Sequence, residues 1–149
     1  MKSLFDPDVF HETAGRIEAL QPSASRLWGK MTPAQMLEHS TRALEMACGK
    51  GPQKQTGLGK LIGWMVRGSF VGEKPFSKNG PTGPQFIVRD EPDFVATKER
   101  LLGVMREFQS KGERGCDGNV HAFFGRMSGV EWGVTQYKHL DHHLRQFGA

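Results

Sequence analysis

Apolar residues recur along this chain at steps of three and four in four long segments, the spacing of helices that bury one face. In the first, Val9, Phe10, Thr13, Ile17 and Leu20 share a side, behind a start at Asp6-Pro7 and ahead of a stop at Gln21-Pro22. The second turns Met36, His39, Ala43 and Met46 inward. It opens on the capping box Thr32-Pro33-Ala34-Gln35 and closes at Gly49. The third runs from about Glu91 to Lys111 with Phe94, Leu101, Leu102, Val104, Met105 and Phe108 as its apolar set. The fourth opens on a second capping box, Ser128-Gly129-Val130-Glu131, and stops at Gly148.

The connections are equally legible. Lys50 to Pro92 is rich in glycine and proline, with Asn79-Gly80-Pro81-Thr82-Gly83-Pro84 as its clearest loop. Within it, Leu58 to Phe70 reads as one short amphipathic helix interrupted by Gly63. Trp64, Met65 and Phe70 are expected on its buried side, with cover for a pocket mouth as the other reading. Gly112 to Gly118 is a glycine-rich turn leading into Val120-His121-Ala122-Phe123-Phe124-Gly125. No useful strand alternation and no internal repeat is present. The expected fold is all-α: one domain over residues 1–149, an antiparallel four-helix bundle with a long Gly/Pro-rich crossover that contains a short extra helix.

Composition narrows the setting. A chain of 149 residues can bury a sizeable core without staples. No apolar run approaches the length of a membrane span, and the N-terminal stretch carries acids where a secretory signal would be apolar. No membrane partner is therefore expected. Cys48 and Cys116 are far apart and in no CxxC spacing, which points to a reducing cytoplasm. The net charge is +4, concentrated between Cys48 and Lys78, where Lys50, Lys54, Lys60, Arg67, Lys74 and Lys78 face the single acid Glu73. A solvated loop and an anion-attracting rim for a small-molecule ligand are the two readings. Nucleic-acid binding is disfavoured, because the charges are not interleaved with stacking aromatics. A broad helix face also allows a homodimer.

The candidate chemistry lies in the fourth helix. Trp132, Gln136, His139, His143 and Gln146 follow one another at steps of four, three, four and three, a partly polar stripe where a core face is expected. Buried polar groups need partners, so the stripe implies a cavity, a network or an ion. His139 and His143, four apart, can reach one ion, and His39 on the inward face of the second helix is the natural third nitrogen. Gln35, one turn before His39, and Trp132 and Gln136 are candidate lining residues. His142 points about a quarter-turn away and reads as a neighbour in the packing. Asp141 is expected solvated or paired with Arg145, His121 in a loop-packing or capping role, and His11 at the surface. Neither cysteine has the fixed neighbour that a catalytic thiol requires.

The segments LWGKMTPAQMLEHSTRALEMA and FFGRMSGVEWGVTQYKHLDHHLRQFG resemble the DinB-like superfamily of putative metalloenzymes. More narrowly, they are similar to a branch of small uncharacterised bacterial proteins with a HxDHHLRQFG-type C-terminal helix. The resemblance spans essentially the whole chain. It implies an up-down-down-up four-helix bundle and a divalent ion bound by three histidines, which fall on His39, His139 and His143 of this sequence. It further implies an activity similar to metal-dependent hydrolases, or to transferases and isomerases that use low-molecular-weight thiols. Imidazole donors suit zinc, nickel, copper or iron(II), with zinc or nickel the expected ion. No carboxylate sits on the His139/His143 stripe, so a general base is not evident. A non-catalytic stress-associated binding module, and a metal-free bundle with a histidine core network, are the alternatives.

Overall fold

Two of the helix starts are fixed by reciprocal side-chain caps, as the sequence spacing requires. Thr32 accepts from the Gln35 amide while Gln35 accepts from Thr32, and Ser128 and Glu131 do the same. These boxes open α2 (Pro33–Ala47) and α5 (Gly129–Gln146). Pro7 starts α1 (Pro7–Ala19), where Asp6 occupies the cap position without a side-chain bond. Asp93 caps α4 (Phe94–Cys116) and Thr56 caps α3 (Gly57–Val71). The computed structural model describes residues 1–72 and 74–149. Glu73, the one acid of the basic segment, lies outside the described residues.

The chain is mainly helical, and three expectations need correction. Gly63 does not interrupt α3; the helix runs unbroken from Gly57 to Val71. Its Trp64 and Met65 are not a buried side, since they are 73% and 65% exposed, while Phe70 is partly buried against the core. The glycine-rich turn after Lys111 is only partly a turn. Gly112 breaks the helical path with a φ of 62°, and the helix then resumes to Cys116. A short antiparallel hairpin, β1 (Val120–His121) with β2 (Gly125–Arg126), follows it; two-residue strands are too short to leave an alternating pattern.

α2 packs chiefly along α4, both touch α5, and α1 lies against α4 and α5. Their shared core holds Phe10 and Ile17 from α1, Met36, Leu37 and Leu44 from α2, Leu101, Met105 and Phe108 from α4, and Trp132, Leu140 and Leu144 from α5. The N-terminal strand of chain crosses α5 at Gly133, where Leu4 donates to the Gly133 carbonyl and Phe5 stacks on Phe108 at 4.4 Å. The far end of α5 is held by Arg16 of α1, which donates to Asp141 and to the Ala149 carbonyl. Thus the helix that carries two of the three histidines is fixed at both ends. Among the described residues α3 stands apart from α1, α2 and α4 and packs against α5 and the hairpin.

Candidate metal centre

Residue spacing on α5 stacks His139 and His143 one turn apart, and the packing of α2 against α5 brings His39 to them. The ring centroids of His39, His139 and His143 lie 4.7–4.9 Å from one another. One nitrogen from each falls within 4.8 Å of the others, close enough for a single ion. His39 and His143 are buried and His139 is half-buried. Among the described residues no aspartate, glutamate or cysteine joins the cluster.

Hydrogen bonds outside the trio decide which nitrogens face inward. His39 Nδ1 is 2.9 Å from the Phe86 carbonyl, which can only accept, so Nδ1 carries the proton and Nε2 the lone pair. Gln146 Nε2 donates to the Trp28 carbonyl at 2.7 Å, which turns its Oε1 toward His143 Nδ1 at 3.0 Å. His143 therefore donates from Nδ1 and likewise presents Nε2. His139 Nε2 lies 2.9 Å from His39 Nε2, and its Nδ1 is buried with no partner among the described residues. Two fixed lone pairs and a third imidazole thus converge on one point. Without a cation, at most one proton of His139 can answer them, so the donor set fits a divalent ion.

Electrostatics agree with that assignment. Burial pushes all three imidazoles below their ordinary value: His143 to about 3 and His139 well down, each further lowered by its histidine neighbours. For His39 burial again dominates, partly offset by the bond to Phe86. All three are therefore neutral near pH 7, the state in which imidazole binds a metal.

The surrounding residues each have defined partners. Gln35 is committed to its cap: Oε1 accepts from Thr32, and Nε2 donates to the Asp90 carbonyl. Trp132 is fully buried and donates to the Asn119 carbonyl, joining α5 to the hairpin. Gln136 is buried and donates to the Ala43 carbonyl across to α2, leaving Oε1 without a partner among the described residues. His142 packs edge-on to Trp28 at 5.7 Å. His121 takes its expected capping role, its Nδ1 accepting from the Phe123 and Phe124 amides. Asp141 pairs with Arg145 and also with Arg16. Both cysteines are free and buried, and burial raises the thiols to about 12 and about 11, which keeps them protonated.

Two contributors were not singled out from sequence. Gln146 stood on the polar stripe three residues after His143, which was the available signal. Phe86 acts through its backbone carbonyl, for which no side-chain pattern exists. Lys78, of the basic segment, lies over the Trp28 ring at 4.3 Å.

No curated protein and no solved structure matches the chain. A family model described as "Protein of unknown function (DUF1569)" matches residues 6–149. The chain therefore belongs to the DUF1569 family.

Proposed function

We propose that this protein is a metal-dependent enzyme of the DinB-like type, with zinc or nickel held by His39, His139 and His143 and a low-molecular-weight thiol as its co-substrate. The observation that carries the reading is the convergence of imidazole nitrogens whose protons are drawn outward by Phe86 and Gln146. The mutual packing of α1, α2, α4 and α5, with a single long connection between α2 and α4, supports the expected up-down-down-up bundle. Three neutral nitrogens leave a position open for an exchangeable ligand, as in catalytic rather than structural sites. An ion held there would supply acidity to a water or a thiol at that position.

The chain's own residues favour the thiol over hydrolysis. Hydrolysis calls for a group that moves protons near the attacking water, and the cluster contains no carboxylate among the described residues. A thiol, already far more acidic than water, needs less help to ionise. Lys78, beside Trp28 and His142, offers a positive charge to a carboxylate-bearing thiol approaching from that side. The test is a pair of assays on the metal-loaded protein: thiol conjugation to an electrophile, and ester or amide hydrolysis. The reading expects thiol-dependent turnover that His39→Ala abolishes; turnover that survives His39→Ala, or hydrolysis alone, would overturn it.

One observation favours a second reading. His39 Nε2 and His139 Nε2 are 2.9 Å apart, a hydrogen-bond distance, so the trio can also stand as a metal-free network in the core.

A further inference from the structure

α3 is built inside out. Gly59 and Gly63 lie against the Phe123 carbonyl, so closely that a Cβ at either position would clash with it. At its C-terminal end Phe70 and Val71 pack against the core, and the remaining attachment is polar. Arg67 makes a two-pronged ion pair with Glu131, Lys138 donates to the Ser69, Phe70 and Gly72 carbonyls, and Gln55 donates to Phe123. Over its first two turns the helix therefore docks through glycine backbone, and its large apolar side chains point away. Leu58, Leu61, Trp64 and Met65 are 59%, 72%, 73% and 65% exposed, with Ile62 and Val66 at the margin. Helical spacing places these residues on one continuous outer face. Nothing within the described chain uses them, and an apolar patch of this kind marks an interaction surface.

The charges beside the face indicate what covers it. α3 carries Lys60 and Arg67 and no acid. Lys54 precedes it, and neither Lys54 nor Lys60 makes an ion pair among the described residues. We propose that α3 seats this protein on an anionic lipid surface, its Leu58–Leu61–Trp64–Met65 face in the acyl boundary and Lys54 and Lys60 among the headgroups. Leucine, methionine and tryptophan on one side with flanking lysines are the composition of helices that lie in the membrane plane. A second copy of the chain fits less well, because two α3 faces would bring like-charged lysines to one seam with no acid on the helix to answer them. The expectation of no membrane partner came from the lack of a spanning segment. No helix here is long and apolar enough to cross a bilayer, but lying on its surface needs only one apolar face.

The test is flotation of the full-length protein with vesicles of phosphatidylcholine and phosphatidylglycerol, against phosphatidylcholine alone. Binding to the anionic vesicles is expected, with quenching of tryptophan emission by brominated acyl chains that disappears in Trp64→Phe. Leu61→Glu should lower partitioning more than tenfold, and Lys54→Ala and Lys60→Ala roughly fivefold each. Because these side chains are exposed, circular dichroism of every variant should match the wild type. Absence of anionic-vesicle binding, equal binding to neutral vesicles, or a partition unchanged in all variants overturns the proposal. So does a solution dimer that Leu61→Glu dissolves while vesicles leave it intact.

Discussion

Gln146 shows how much of the site depends on a residue that is not a donor. Its amide is clamped by the Trp28 carbonyl, and that clamp orients His143. Leucine at this position keeps the bulk and removes the orientation. Gln146→Leu is expected to weaken zinc affinity roughly 10–100-fold, measured by competition with a chromogenic chelator. Unchanged affinity would mean that His143 is positioned by packing alone. His121 makes a separate prediction. Burial lowers its imidazole from 6.5 to about 4, with Arg67 adding to the shift. The unfolded chain takes up this proton below 6.5 while the folded chain refuses it until about 4. The stability His121 confers is thus fully present above 6.5 and is lost as the pH falls toward 4. Urea midpoints at neutral pH and near the lower value should differ more in wild type than in His121→Gln, and an equal drop in both would contradict this.

At the scale of elements, helices with an apolar stripe and a cap were legible and the exception is informative. Thr32 and Ser128 marked the starts of α2 and α5 because their capping boxes are local chemistry, complete within four residues. α3 carried an equally apolar pattern, yet its apolar face is not a core face. Periodicity reports that a face will be buried, not against what, and the glycines that back α3 look in sequence like interruptions. Gly63→Ala tests the structural account. Its Cβ would collide with the Phe123 backbone, which cannot swing aside as a flexible side chain can. Displacement of α3 is expected at a cost of about 1–3 kcal/mol, seen as faster amide exchange through Gly57–Val71. Zinc binding should persist, because none of the three histidines lies on α3. Exchange as slow as wild type would show that α3 has room to spare.

At the scale of the molecule, the histidine cluster joins residues one hundred positions apart, and only two of the three were linked by local spacing. His39 could be chosen from sequence because α2 showed an inward face that contained it. The outward pull on its proton could not, since it comes from the Phe86 carbonyl in the crossover. The same limit applies to Gln35, whose bond to the Asp90 carbonyl joins α2 to the segment before α4 and has no counterpart in local spacing. Metal, if bound only by the folded chain, also stabilises the whole fold by mass action. The most direct measurement is metal content per chain. The full-length protein would be stripped with chelator, reloaded with zinc or nickel, desalted and analysed beside His39→Ala and His143→Ala. The account predicts about one ion per wild-type chain, and essentially none retained by either variant. A wild type that holds no stoichiometric metal, or variants that hold as much as the wild type, would contradict it.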